Sequence, residues 1–244
     1  MKSYEAKHYL LRAEMLWDRV EDRGVYPFAL PAIASFHEIE FHPKVTFIIG
    51  ENGSGKSTLI EALAIAWGFN AEGGTRNHSV NTRPTHSELH RAIKLIRPPR
   101  RARDGFFLRA ESLYNVATHI DDIGYIDSYG GRSLHVQSHG EAFWSLLEHR
   151  FGGNGLYILD EPEAALSPSR QMSMLVRMHD LIAPTSQFTI PTHSPILMAY
   201  PDAWIYQIGR HGLERVHYED TEHFEVTRNF LNRHTEMVRR LLAD

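Results

Sequence analysis

The sequence predicts an α/β fold in which a mostly parallel sheet is flanked by helices. Short runs of β-branched and aromatic residues at Val45–Ile49 and Gly155–Asp160 are typical of buried parallel strands. Each run is followed by residues with helical spacing, at positions 57–69 and 167–182. Because strands alternate with helices, the pattern favours a parallel sheet with helices packed against it.

The other segments complete this pattern along the chain. Residues 1–24 are predicted as a helical lead-in, because apolar residues recur among charged ones at a roughly helical spacing. Further short strands are expected at residues 35–41, 186–192 and 204–208. The carboxyl-terminal segment is predicted to be an amphipathic helix, whose apolar face holds Val226, Phe230, Met237 and Leu241.

Composition excludes several classes of protein. The 244 residues contain no cysteine, which excludes disulfide frameworks, thiolate metal sites and a cysteine nucleophile. No apolar stretch approaches the ~20 residues that cross a membrane, so no direct membrane insertion and a cytoplasmic location are expected. The net charge of −4 shows no overall basicity, although residues 91–109 hold seven Lys or Arg and one acid. That stretch fits either contact with nucleic-acid phosphates or a charged, solvated loop.

A glycine-rich loop lies between the first buried strand and the helix after it. Residues 50–58 read GENGSGKST and match the phosphate-loop pattern G-x-x-x-x-G-K-[ST]. Lys56 is expected to reach the β- and γ-phosphates of a nucleotide, and the Ser57 hydroxyl to coordinate Mg²⁺. The predicted nucleotide-binding residues are Gly50, Glu51, Asn52, Gly53, Ser54, Gly55, Lys56, Ser57 and Thr58.

Two carboxylates end the second buried strand. Four apolar residues precede Asp160 and Glu161, so the strand delivers both acids to the edge where ligands bind in parallel α/β sheets. Asp160 is suited to hold Mg²⁺, and Glu161 to orient and deprotonate an attacking water. Without the glycine-rich loop, a helix cap formed by Asp160 would be the better interpretation.

Three further motifs complete a recognisable set. Residues 137–141 read QSHGE, residues 162–167 read PEAALS, and residues 192–195 read THSP. Together with the phosphate loop and the acidic strand end, they resemble the signature, D-loop and switch-histidine motifs of ABC-type ATPases. The resemblance is to the stand-alone heads of the SMC/RecF-like group, and it spans residues 35–208.

The resemblance implies a site shared by two copies that pack head to tail around ATP. Ser138 and the backbone around Gly140 would contact the γ-phosphate held by the partner copy, although Ser138 could be a plain helix cap. His193 would contact the γ-phosphate and the attacking water; the alternative is a buried histidine at a strand end. Glu111 is the implied substitute for the glutamine that senses Mg²⁺.

Some positions depart from the family pattern or fit it loosely. Gln137 and His139 replace a leucine and a glycine of the transporter signature, which affects the geometry between subunits more than ATP binding. Arg76 lies where related heads carry an arginine near DNA or nucleotide, but it could equally be a solvated loop residue. Tyr26 or Phe28 could stack on adenine, although a core aromatic is the preferred interpretation.

The resemblance also implies an organisation and a function. A single ATPase domain over residues 1–244 is expected, with a core lobe at 25–75 and 150–244 and a helical lobe at 76–149. The cofactors would be ATP and Mg²⁺. The expected protein is an ATPase that forms a homodimer around ATP and drives a partner in a DNA-linked process, repair or defence. Candidate partners are DNA and a nuclease or other effector protein. The alternatives are the ATP-binding subunit of a membrane transporter and a nucleotide-dependent scaffold with little hydrolysis.

Overall fold

A six-stranded sheet forms the centre of the described structure. The computed structural model describes residues 8–75, 87–109, 113–122, 124, 130–209 and 212–243. Neighbouring strands in it are parallel except for the last pair, which is antiparallel. The mostly parallel sheet predicted from the sequence is therefore confirmed. In spatial order, the strands are β5 (Asp104–Arg109), β6 (Gly155–Asp160), β7 (Gln187–Pro191), β3 (Val45–Ile49), β8 (Trp204–Gly209) and β9 (Gly212–Val216).

A second, antiparallel sheet contains β1 (Arg12–Met15) between β2 (Glu38–Glu40) and β4 (Ile93–Ile96). The helical lead-in predicted for residues 1–24 is wrong where the chain is described, because Arg12–Met15 is a strand and Trp17–Arg19 a short 3-10 helix. Burial alternates along the strand, with Ala13 and Met15 inside and Arg12 paired with Glu38 outside. Pairing with two distant strands thus overrides the approximate helical spacing.

Helices cover both faces of the central sheet. The helical spacing at positions 57–69 corresponds to α2 (Lys56–Trp67), most of whose apolar residues are buried. The described helices are α1 (Pro31–Ala34), α2 (Lys56–Trp67), α3 (Leu113–Asp122), α4 (His139–Ser145), α5 (Pro168–Ile182), α6 (Pro195–Met198) and α7 (Glu222–Leu241). None of the helices in the described ranges is long and apolar enough to cross a membrane.

Alternate residues of the central strands point into two separate cores. Phe47 and Tyr157 pack with α3, α4, α5 and α6 on one face of the sheet. Ile48 and Ile158 pack with α2 and the antiparallel sheet on the other face. β3 and β6 therefore have apolar neighbours on both faces, and their carboxyl ends meet at one edge of the sheet.

The range predicted for a helical lobe, residues 76–149, contains strands as well as helices. β4 belongs to the antiparallel sheet and β5 to the edge of the central sheet, whereas α3 and α4 follow them. The dense Lys and Arg between residues 91 and 109 obscure both strands. β4 carries Lys94 on its exposed side, and the buried residues of β5 form only a short run that ends at Arg109. The division into two lobes stays a prediction.

Candidate nucleotide site

The phosphate loop connects β3 to α2. Gly55 precedes the first residue of α2 with φ of 98°, a left-handed conformation, and a Cβ there would lie 3.1 Å from the Leu30 Cβ. The Lys56 ammonium is buried beneath the loop, where it donates to the carbonyl oxygens of Gly50 at 2.9 Å and Glu51 at 3.0 Å. Burial lowers the pKa of Lys56, while nearby carboxylates, Glu161 foremost, oppose that shift.

Both residues predicted to hold Mg²⁺ in the described chain lie next to each other. The Ser57 hydroxyl at the start of α2 donates to Asp160 Oδ1 at the end of β6, over 3.2 Å. The other carboxylate oxygen of Asp160 lies 3.6 Å from Arg109 Nε, and Arg109 also pairs with Glu61 at 2.6 Å. Sequence reasoning missed Arg109, because its place beside Asp160 depends on the pairing of β5 with β6.

Glu161 and His193 face each other across adjacent strand ends. Glu161 has φ of 47°, a left-handed conformation that costs a non-glycine residue ~1 kcal/mol or more. Its Oε1 lies 3.6 Å from Nε2 of His193, which follows β7. Burial lowers the pKa of His193, Lys56 adds to the effect, and Glu161 opposes it. The result favours a neutral imidazole at neutral pH.

A third acid supports the backbone at the switch position. Glu163 accepts a hydrogen bond from the His193 backbone N–H at 2.5 Å. Burial raises the pKa of Glu163, although this bond and one with Thr192 work in the opposite direction. The strand β7 ends at Pro191, which has no backbone N–H to continue the ladder.

The phosphate loop and α7 enclose a cavity of about 870 Å³. The loop forms one wall, with Gly50, Asn52 and Ser54 among its lining residues. The opposite side includes His193 and His223, the latter from the first turn of α7. Ser54 Oγ is buried and has no hydrogen-bond partner among the described residues. A cavity of this size, with unsatisfied polar groups beside a phosphate loop, fits a nucleotide.

The signature residues lie at the start of α4. The Ser138 hydroxyl donates to Glu141 Oε2 at 2.7 Å, and the Glu141 carboxylate accepts the Ser138 backbone N–H at 2.9 Å. The Ser138 hydroxyl also accepts from the Glu141 backbone N–H at 3.4 Å, which completes a capping box. The two bonds that the Glu141 carboxylate accepts from Ser138 lower the pKa of Glu141. Gly140 approaches the chain closely, since a Cβ there would lie 2.7 Å from the Ala165 carbonyl oxygen. Contact of Ser138 and Gly140 with a partner's nucleotide stays a prediction.

The remaining candidates lie elsewhere. Glu111 and Arg76 fall outside the described residues. Tyr26 is largely exposed, and Phe28 packs against Trp17 with ring centroids 6.5 Å apart. Neither of these two described aromatics is among the residues that line the cavity.

Comparison with known proteins agrees with this architecture. Residues 29–101 match the AAA domain family. A metal-chelate type ABC transporter in an inward-facing conformation aligns at 17% identity and a TM-score of 0.50, over 90% of this chain and 88% of that chain. A search of curated proteins finds no significant match.

Two further solved structures are similar at lower scores. The SMC head domain from Thermotoga maritima has 18% identity and a TM-score of 0.41, over 73% of this chain and 92% of that chain. The structure of cbiO1 from Clostridium perfringens, part of an ABC transporter complex, has 19% identity and a TM-score of 0.48, over 92% of this chain and 95% of that chain. With its phosphate loop inside the matched AAA segment and its sheet order, the chain has the fold of an ABC-type ATPase head.

Proposed function

We propose that this chain binds ATP and hydrolyses it with Mg²⁺. The observation that carries the proposal is the convergence of Lys56, Ser57, Asp160, Glu161 and His193 on the carboxyl ends of β3, β6 and β7. Parallel α/β sheets bind ligands at this edge, and a phosphate loop places the phosphates of the ligand there.

Each side chain has a role that its surroundings support. Lys56 would exchange its two carbonyl partners for phosphate oxygens and balance their charge. Ser57 and Asp160 offer the hard oxygen ligands that Mg²⁺ prefers, and the ion would neutralise charge on the transferred phosphoryl group. Among the described residues there is no cluster of three or more acids or histidines for a metal, so phosphate oxygens would complete the coordination.

Glu161 and His193 would act on the water and the γ-phosphate. The Glu161 carboxylate is the candidate base that orients the attacking water and accepts its proton. A neutral His193 could donate one ring N–H to the γ-phosphate while carrying no net charge itself. The left-handed backbone of Glu161 supports this assignment, because strained residues cluster at functional sites.

The first experiment measures phosphate release by the purified chain with ATP and Mg²⁺. Glu161→Gln should lower kcat by about 100-fold or more while ATP still binds, because the amide cannot accept the proton. Glu214→Gln on the exposed side of β9 is the matched control and should keep full activity. Equal phosphate release by wild type and Glu161→Gln would contradict the assigned base. Tight ATP binding with negligible release by wild type would favour the scaffold alternative.

The oligomeric state of the chain and the molecule on which it acts form a separate part of the proposal. We infer a homodimer that joins the phosphate loop of one copy to Ser138 and Gly140 of the other and acts on DNA, a nuclease or another effector. Part of the basic stretch is engaged within the chain, since Arg97 lies over the Trp67 ring at 4.1 Å and Arg100 donates to Thr185. Stimulation of phosphate release by DNA would support the DNA-linked role.

A transporter subunit is the second candidate. The structural likeness to a metal-chelate type ABC transporter favours it as much as the SMC-like motifs favour the first. Co-purification of the chain with a membrane protein, with no effect of DNA on ATP hydrolysis, would reverse the preference.

A further inference from the structure

His223 lies against the candidate switch histidine in a way that the motifs did not anticipate. It belongs to the first turn of α7, and its Nε2 lies 3.1 Å from Nδ1 of His193. The two rings are 5.3 Å apart between centroids. This contact occupies the one ring nitrogen of His193 that does not face Glu161.

The two partners of His193 select one tautomer. A neutral imidazole carries a single N–H, on Nδ1 or on Nε2. With the proton on Nε2, the N–H points toward the Glu161 carboxylate, and Nδ1 accepts from His223 Nε2–H. With the proton on Nδ1, a ring lone pair would face the Glu161 carboxylate, which is electrostatically unfavourable. The first arrangement is therefore preferred.

Two buried ring nitrogens set the cost of each arrangement. Nδ1 of His223 and Nε2 of His193 are both buried and have no hydrogen-bond partner among the described residues. Each arrangement therefore leaves one buried N–H unpaired, at His193 Nε2 in the first and at His223 Nδ1 in the second. The first arrangement costs less, because its unpaired N–H lies 3.6 Å from the Glu161 carboxylate, which attracts it electrostatically.

The start of α7 is fixed to the segment that carries His193. The Tyr218 hydroxyl donates to the Pro195 carbonyl oxygen at 2.8 Å, two residues beyond His193. Thr221 then caps α7, since its buried hydroxyl accepts from the Phe224 N–H at 3.3 Å and donates to the Tyr218 carbonyl at 2.8 Å. These bonds hold His223 in register with His193.

We infer that His223 is a positioning residue that holds His193 with its Nε2–H directed at the γ-phosphate of bound ATP. The inference rests on the proposed ATPase function and assigns α7 a part in it. Histidines in other sites are oriented in this way by a hydrogen bond to the second ring nitrogen. Here the orienting group is a second histidine on the carboxyl-terminal helix.

The test compares three substitutions that differ only in what they offer to His193 Nδ1. His223→Gln keeps an N–H donor near the same place, His223→Leu offers nothing, and His223→Glu offers only an acceptor. We expect kcat for ATP hydrolysis to fall about tenfold or more in His223→Leu and His223→Glu, and to recover most of its value in His223→Gln. ATP affinity and KM should stay within about twofold of wild type, because His193 acts mainly after binding.

The control is His234→Leu, an exposed position farther along the same helix, which should leave kcat unchanged. Wild-type kcat in His223→Leu, or equal losses in His223→Gln and His223→Leu, would overturn the inference. If His223→Leu does not fold, the comparison of His223→Gln with His223→Glu decides the matter, since both side chains have nearly the same shape.

A second readout needs no ATP hydrolysis. Nitrogen-15 NMR of the histidine rings should show wild-type His193 protonated at Nε2, and should show Nδ1 protonation increasing in His223→Glu. An unchanged His193 signal in His223→Glu would contradict the inference. Failure of wild type to hydrolyse ATP would instead count against the proposed function, and the NMR result would still report on the histidine pair.

Discussion

At the scale of single residues, Lys56 and Ser57 already have partners where phosphate and Mg²⁺ are expected. Lys56 is held by two loop carbonyls, and Ser57 by Asp160. Binding of nucleotide and Mg²⁺ would therefore replace these hydrogen bonds of Lys56 and Ser57 with bonds to the ligands. Such internal hydrogen bonds keep buried polar groups satisfied without nucleotide, which limits the cost of burying them.

Replacement of Ser57 tests the metal-binding half of the site. Ser57→Ala removes the hydroxyl near Asp160, so the Mg²⁺ concentration needed for half-maximal ATP hydrolysis should rise about tenfold or more. A magnesium titration of phosphate release measures it. Ser169→Ala at an exposed position on α5 is the control. An unchanged magnesium requirement would remove Ser57 from the proposed ligand set.

At the scale of elements, the amino end of β5 is tied to β6 by Asp104. Its carboxylate accepts from the Tyr157 hydroxyl at 2.7 Å, pairs with Arg150 at 2.9 Å, and accepts the Gly152 N–H at 3.0 Å. Burial alone would raise the pKa of Asp104, but these bonds outweigh it and hold the pKa below its ordinary value of 3.8. The same carboxylate raises the pKa of Tyr157, after burial as the larger cause.

The sign of the Asp104 shift predicts how stability depends on pH. A carboxyl group with a lowered folded pKa stabilises the protein above its unfolded pKa and loses that effect as pH falls through the folded pKa. Asp104→Asn should therefore lower the free energy of unfolding by about 1.5–3 kcal/mol at pH 7. The difference from wild type should shrink below pH 3.8, and urea denaturation at pH 7 and pH 3 measures it. A difference that grows on acidification would contradict the ionised carboxylate.

Gly140 joins α4 to the segment after β6. An alanine methyl group there would lie 2.7 Å from the Ala165 carbonyl oxygen, which is closer than real contacts allow. Gly140→Ala should therefore destabilise the protein by about 1–3 kcal/mol, measured by thermal or urea denaturation. The control is Gly152→Ala, where the nearest atom outside the backbone neighbours is 3.7 Å away. Equal stability of both variants would mean that α4 shifts freely, and that Gly140 has no packing role.

At the scale of the whole molecule, the shared site of the proposal is tested by trapping the dimer. Ser138 caps α4 within its own chain, and in the proposal it contacts the nucleotide held by another copy. Glu161→Gln should accumulate as an ATP-bound dimer, because hydrolysis would no longer release the two copies. Size-exclusion chromatography with light scattering, with and without ATP, measures this.

A second variant separates the interface from the site. Glu161→Gln combined with Ser138→Arg should stay monomeric with ATP, because a bulky cation would occupy the γ-phosphate contact of the partner copy. A monomer for Glu161→Gln alone at saturating ATP would contradict the shared site. Dimers of both variants would place the interface away from Ser138.

The sequence predicted the bounds of the elements around the candidate site well. The strands Val45–Ile49 and Gly155–Asp160 have the predicted bounds, and α2 begins one residue before the predicted start. These elements could be predicted because each has its own signal, either a continuous apolar run or a glycine-rich turn before a helix. β1 and β4 were missed, since charged residues on their exposed sides mask a short alternation. β5 was missed because its buried residues form only a short run between Asp104 and Arg109, within a basic stretch.

What the sequence determined by itself is the chemistry at the end of each central strand: a phosphate loop, a pair of acids and a histidine. The tertiary structure decided which distant groups meet them. Gln187 bonds with the backbone of Tyr9, 178 residues away, and so fixes the described amino-terminal segment to the central sheet. His223 likewise reaches His193 only because α7 folds back over the loop. Such contacts leave no local pattern, because they depend on packing between elements rather than on the residues within one element.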